Sequence, residues 1–279
     1  MSGKRIQLFL MIALAACCLC CEKRIWEVRE ECPCVFTLDL GDIPKGIDTL
    51  HLWMFGENDS LLYRDTIGKE LFGGACELLL QRDRIRCYIW GNLRKATALA
   101  DNRTLNSSLT KRKDVPPDSL FGYSGLFNTR SEYAGGKVRM NKEFATVDVI
   151  LEGYKGNGDK MWLEISGNSS GFYIDGGFLP GTGKIIAFPH ALNTAQAQFT
   201  YRLLRQESLT AIIMKVLATD KGGPEVVGEL PVGKWLAGYG YDMQAPDLAD
   251  IRLEIDLSVN IATIRTEDWQ ATFPADVKF

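Results

Sequence analysis

Cysteines, histidines and paired carboxylates are the side chains that could do chemistry in this 279-residue chain, and they are sparse. Of eight cysteines, Cys17, Cys18, Cys20 and Cys21 crowd the N-terminal segment, and Cys32, Cys34, Cys76 and Cys87 lie beyond it. Cys32-Pro33-Cys34 has one residue between its thiols where redox pairs have two. No second Cys/His pair stands at zinc-ligand spacing. His51 falls inside a run of strand character and His190 follows Pro189 in a loop, so each is expected to be structural. No Gly-x-Ser-x-Gly elbow or His-Glu-x-x-His helix is present. Gly181-Thr182-Gly183-Lys184 lacks the upstream glycine and the following hydroxyl residue of a phosphate loop, and reads as a turn between strands. Asn157-Gly158-Asp159 is not followed by a calcium loop's set of oxygen ligands. The expectation is a protein without catalysis, metal or cofactor.

The residues before Cys17 carry the strongest signal. Lys4 and Arg5 form a positive start, residues 6–16 are almost unbroken apolar sequence, and Leu14-Ala15-Ala16 leads to the cysteine. This is the layout of a secretory signal peptide, too short to span a bilayer comfortably. A cysteine directly after Leu-Ala-Ala resembles the signal of bacterial lipoproteins. In that class a lipid joins the thiol, the chain is cut before it, and the new amine is acylated. Several acyl chains at about 0.8 kcal/mol per buried methylene make such an anchor durable. Only Cys17 has small residues at both preceding positions, which makes it the expected lipid site over Cys18, Cys20 and Cys21.

Removing residues 1–16 leaves 263 residues, enough for two domains of ordinary size. The loss of Lys4 and Arg5 takes the formal charge from −3 to −5. A mildly acidic chain of mixed charge gives no electrostatic case for nucleic acid. No long apolar run follows the leader, so no transmembrane helix is expected. An exported chain meets an oxidising compartment, and Cys32, Cys34, Cys76 and Cys87 are candidates for disulfides in any of three connectivities.

Residues 17–33 are charged after the cysteines and read as a tether from lipid to body. Strand patterns then recur: 35–40, 49–55 (apolar on both faces, hence central), 61–64 after the turn Gly56-Glu57-Asn58-Asp59-Ser60, and 84–90. Residues 101–120 are polar and end in Val115-Pro116-Pro117-Asp118, the signature of a long loop. Further strands are expected at 145–151, 160–166, 199–203, 211–217, 251–259 and 262–265. The turn signal Gly156-Asn157-Gly158-Asp159 predicts that 145–151 and 160–166 pair as a hairpin. Helical periodicity shows only at 93–100 and 230–239. Many short strands with Gly/Asn/Pro turns predict an all-β protein of β-sandwiches, with domains at 34–138 and 139–279.

Two segments could bind a partner. Trp235, Tyr239 and Tyr241 could form a platform for a sugar ring. The tail, 264–279, has spaced apolar residues (Ala271, Phe273, Val277 and Phe279) and no helix signal. It reads either as an edge strand of its own sheet or as a donor strand that adds to another subunit's sheet.

Taken in order, several of these parts resemble the fimbrillin-associated anchor proteins of Bacteroides-type fimbriae. They are the lipoprotein leader, Cys32-Pro33-Cys34, Leu50-His51-Leu52-Trp53-Met54-Phe55, Cys87-Tyr88-Ile89-Trp90-Gly91-Asn92, Pro116-Pro117-Asp118-Ser119-Leu120-Phe121-Gly122 and Ile264-Arg265-Thr266-Glu267-Asp268-Trp269. The resemblance implies two tandem transthyretin-like, Greek-key β-sandwiches without catalysis. It implies an outer-membrane lipoprotein at the base of a fimbria that limits its growth and has fimbrillin shaft subunits as partners. Shaft subunits of this system exchange strands after a protease removes their first strand. An anchor would keep its own, here 35–40, and its C-terminal segment could complete the last shaft subunit. Arg24 and Arg29 remain candidate protease sites. The alternative expectation is a cell-surface lipoprotein that binds glycans.

Overall fold

The first strand, β1 (Cys34–Asp39), shows why this sequence makes sheets. Cys34, Phe36 and Leu38 are fully buried while Val35, Thr37 and Asp39 face outward, the two-residue period of a strand covered on one side. The computed structural model describes residues 32–94, 96–99, 103–112, 116–153, 161–192, 196–220 and 223–275. Among them the first half contains β2 (Thr49–Phe55), β3 (Leu61–Gly68), β4 (Ala75–Leu80), β5 (Arg84–Gly91), β6 (Thr97–Leu99), β7 (Ser108–Lys111), β8 (Phe121–Asn128), β9 (Tyr133–Lys137) and β10 (Asn141–Lys142). β1 lies between antiparallel β4 and parallel β9. Facing it is a five-stranded sheet of order β10-β8-β5-β2-β3. Phe36, Leu38, Leu50, Leu52, Met54, Ile85, Cys87 and Ile89 fill the space between them.

The second half contains β11 (Phe144–Glu152), β12 (Met161–Ser166), β13 (Ser169–Tyr173), β14 (Phe178–Pro180), β15 (Ile185–Ala187), β16 (Ala191–Leu192), β17 (Gln196–Leu204), β18 (Ile213–Asp220) and β19 (Gly223–Leu230). A short helix, α1 (Val232–Gly238), precedes β20 (Ile251–Asp256), β21 (Ile261–Arg265) and β22 (Gln270–Pro274). One sheet runs β16-β17-β11-β20-β21-β22 and the other β15-β12-β18-β19. Val147, Val149, Leu163, Phe199, Val216 and Leu253 lie in the core between them. Helix α1 sits close to the 3-10 turn Leu209–Ala211, where a Cβ on Gly233 would come within 1.7 Å of the Leu209 carbonyl oxygen. Only glycine permits that approach. No helix among the described residues is long and apolar enough to cross a membrane.

The two halves repeat one seven-strand scheme. In the first, β1 is flanked by antiparallel β4 and parallel β9, and the facing strands run β3-β2-β5-β8. In the second, β11 is flanked by antiparallel β17 and parallel β20, and the facing strands run β15-β12-β18-β19. The halves differ at their sheet edges, where β10 adds to β8 in the first and β16 to β17 in the second. β9 closes its sheet, whereas its counterpart β20 is extended by the hairpin β21-β22.

Three local expectations are corrected. Strands 145–151 and 160–166 do not pair. β11 and β12 lie in different sheets, so the chain crosses from one to the other between them. Residues 101–120 are not one loop, because β7 forms within them and pairs with β13 of the other half, Leu109 opposite Phe172. Residues 97–99, expected as helix, form β6 on the other side of β7. The resulting sheet, β14-β13-β7-β6, covers the outer face of the five-stranded sheet. Trp53, Phe55 and Trp90 are buried there against Leu109 and Phe172, with the Trp90 and Phe172 rings 5.0 Å apart. That is why β2 is apolar on both faces.

Candidate functional site

The C-terminal hairpin places half of the expected donor residues. β22 pairs antiparallel with β21, Ala271 opposite Ile264 and Phe273 opposite Ala262. Ala271 is buried, and Ala275 beyond it is almost fully buried. The Phe273 ring stacks on Trp235 of α1 at 4.8 Å and meets Tyr239 edge-on at 5.3 Å. Val277 and Phe279 lie outside the described residues, as does Cys17. The N–H groups of Thr266 and Ala275 donate to the carbonyls of Trp269 and Asn260. Antiparallel pairs alternate, so Ala271 and Phe273 point their backbone groups at β21 while Gln270, Thr272 and Pro274 point theirs at the open edge. Pro274 has no N–H to offer there, an edge position that proline tolerates.

Of the three aromatic residues of the expected sugar platform, Trp235 and Tyr239 meet at the Phe273 ring and Tyr241 is buried. Tyr239 is half exposed and stacks on Trp269 at 5.5 Å. Trp235 is held by Phe273. Tyr241 is buried, and its hydroxyl donates to the Ala249 carbonyl at 2.6 Å. Burial pushes its phenol well above the ordinary tyrosine range.

The four cysteines beyond the leader are free thiols here. Cys34 stands opposite Leu80 and Cys76 opposite Leu38, so these two lie four residues apart along neighbouring strands, roughly 13 Å. Cys87 is buried in the first core, and burial pushes its thiol up to about 12. Cys32 is exposed. His51 is half-buried on the outer face of β2, its Nδ1 3.3 Å from the Thr66 hydroxyl, and burial lowers its pKa.

Sequence reasoning missed the seam between the halves. The chain passes from one to the other at Glu143, between β10 and β11. Arg205 follows β17 and reaches back: its Nε donates to Glu143 Oε2 at 2.5 Å, and its NH groups donate to the carbonyls of Met243, Lys142 and Pro246. Gln206 beside it accepts from the backbone N–H groups of Asn168 and Ser169, each at 2.9 Å. Trp90 Nε1 donates across the seam to the Ile174 carbonyl at 2.8 Å. The available signal was Arg205-Gln206 directly after the apolar Leu203-Leu204 of a strand. A charge and an amide there need buried partners.

The family model of the fimbrillin-A associated anchor proteins Mfa1 and Mfa2 matches residues 34–272, and the chain belongs to that family. It is a structural, fimbria-associated accessory protein of the cell surface. No curated protein matches it. The fimbrial anchor protein Mfa2 from Porphyromonas gingivalis superposes with a TM-score of 0.65 at 12% identity, over 86% of this chain and 99% of that one. A Bacteroides thetaiotaomicron protein, described as a candidate polysaccharide binder, gives 0.64 at 12% identity, over 86% and 98%. A candidate adhesin from Bacteroides ovatus gives 0.63 at 12% identity, over 86% and 96%. At these identities the likenesses speak for the fold.

Proposed function

We propose that this chain is the outer-membrane anchor of a fimbria, lipidated at Cys17, which holds the fimbria's base, limits its length and joins the shaft through its C-terminal segment. The observation that carries the reading is the state of β1. It is the middle strand of its sheet, and Phe36, Leu38 and the adjoining Leu40 are fully buried. Each such side chain contributes roughly 1.5–3 kcal/mol. Between β1 and β2 the sequence contains Lys45 and no arginine, and the first arginine after β1 is Arg64. A cut at Arg24 or Arg29 would leave β1 in place but sever it from Cys17, so the anchor role requires both sites to stay uncut. A subunit that keeps its first strand has no groove to fill, so it can give a strand but has no need to receive one.

The hairpin β21-β22 is the natural joining element because it stands outside the shared scheme and ends in a strand with an open edge. Its outward backbone groups at Gln270 and Thr272, with residues 276–279 beyond, form the segment that meets a shaft subunit's sheet.

Affinity isolation from native outer membranes of fimbriated cells tests the reading in three forms: wild type, Thr272→Pro and a chain ending at Ala275. Proline at 272 removes an outward N–H and leaves the bonds to β21 intact. A co-purifying fimbrillin ladder in the wild type that is lost in either variant supports joining through the tail. A ladder that survives both rejects the tail and keeps the anchor. No ladder in the wild type overturns the anchor. Mass measurement of the mature N-terminus reports the lipid on Cys17 directly.

A further inference from the structure

A cleft opens beside the seam, where the outer face of the five-stranded sheet emerges from under the covering sheet. Its floor is a register row across three strands: Trp90, Gly122 and Asn141 stand side by side on β5, β8 and β10. One row along on the same face, Tyr88 is paired with Ser124. The opposite wall is the turn at Asp175 and Gly176 that joins β13 to β14, contributed by the other half. The cavity is about 70 Å³, room for a few waters. Pockets favour such junctions between structural units.

Two glycines keep it open. A Cβ on Gly122 would lie 3.3 Å from Glu143 Oε1 and 3.4 Å from the Trp90 ring, inside the cleft. Gly176 has φ +90° and open space where a side chain would be. The polar groups around the space are unspent. Arg205 engages Oε2 of Glu143, and Oε1 takes no hydrogen bond among the described residues. Neither the Asn141 amide nor the Ser124 hydroxyl makes one among them. Asp175 uses Oδ1 to accept from the Gly177 N–H and keeps Oδ2. The Tyr88 ring, half-buried, supplies an apolar wall.

This set offers carboxylate acceptors beside one amide and one hydroxyl. An apolar group would strand the amide and carboxylate oxygens without partners. A phosphate, sulfate or uronate would meet Glu143 and Asp175 with like charge. A neutral polyhydroxylated ring fits both demands. Its hydroxyls donate to the carboxylate oxygens and accept from the Asn141 amide, and its C–H face lies on Tyr88. We infer that this cleft binds the edge of one neutral hexopyranose, a terminal residue of a surface glycan. The site is distinct from the hairpin aromatics and goes beyond the anchoring role.

The test is saturation-transfer NMR on the full mature chain with methyl glycosides of galactose, glucose and mannose, and with methyl galacturonate. One neutral glycoside is expected to bind with a dissociation constant of about 1 mM, as suits a single ring edge. Asn141→Ala should weaken it at least tenfold, and Ser124→Leu, which fills the cleft from an exposed position, should abolish it. Tyr239→Ala should leave it unchanged. The uronate should bind at least tenfold more weakly. Melting curves of the two cleft variants should match the wild type. The inference is overturned if no neutral glycoside binds, if both cleft variants bind as the wild type does, or if the uronate binds best. Fimbrial co-purification is read separately, so failure here leaves the anchor untouched.

Discussion

Replacing Arg205 by Met tests whether charge or only packing braces the seam. The Arg205 side chain is 9% exposed and that of Glu143 14%. Methionine keeps much of the stem and removes every bond from the guanidinium to Glu143 and to the carbonyls of Met243, Lys142 and Pro246. Breaking a buried pair by deleting one partner costs about 3–5 kcal/mol, mostly because a charge is left stranded. At about 2–4 °C per kcal/mol for a protein of this size, melting should fall by roughly 6–20 °C. The pH dependence identifies the cause. Burial already holds Glu143 above the ordinary carboxylate value, and the Arg205 charge draws it back only in part. A carboxyl whose folded pKa exceeds its unfolded one binds more protons in the native state between the two. Stability therefore falls as pH rises through that window and is recovered below it. Without Arg205 the window extends upward. The variant should lose most at neutral pH and least near about pH 4. Adding Glu143→Gln should restore about 0.5–3 kcal/mol beyond additivity. Urea unfolding of the wild type, both single variants and the double variant at the two pH values supplies every quantity. A neutral-pH cost under about 1 kcal/mol, or a cost independent of pH, refutes the argument.

Three further outcomes follow from the first half. Asn92 is fully buried at φ +61°, accepts from the Asp48 N–H at 3.0 Å and donates to the carbonyls of Gly46 and Ser119. Asn92→Ala should cost about 3 kcal/mol, at roughly 1 kcal/mol per bond, and Asn92→Gly, which adopts that φ freely, should cost less by urea titration. His51 is held neutral by burial, its folded pKa lying below the unfolded value. Its contribution is present at higher pH and is lost as pH falls below about 6.5, so His51→Gln should flatten the slope of the melting temperature on the acid side. Among the cysteines beyond the leader, iodoacetamide should label exposed Cys32 first. Cys87, with its thiol raised to about 12, should be labelled last and only on unfolding, as read by peptide mass spectrometry.

What was legible in the sequence was whatever one strand's own pattern decides. β1 and β20 announce themselves by alternation, and β2 by being apolar on both faces. Position in a sheet is decided by partners far along the chain, and there the local signal misled. The turn residues after β11 argued for a hairpin with β12, yet alternation looks the same whichever strand lies alongside. β6 and β7 read as helix and loop because their short runs gain order only from β13, more than sixty residues on. Trp90 shows the same limit. It is core, but the layer that buries it comes from the other half, out of reach of its own strand's pattern.

The repeated seven-strand scheme leaves no mark in the sequence for a related reason. Pairing order is preserved between the halves while side chains are free to vary within hydrophobic and polar classes. Once the scheme is seen, the interesting residues are those it does not require. Arg205 and Glu143 brace a joint that neither half has alone. The turn at Asp175 reaches over the first half's sheet and makes a cleft there. The hairpin β21-β22 extends an edge that the first half leaves at β9. A fold that closes itself twice would need none of these. In the anchoring role proposed above, the hairpin is the part whose loss should separate assembly from folding, because the Arg205 brace also carries stability.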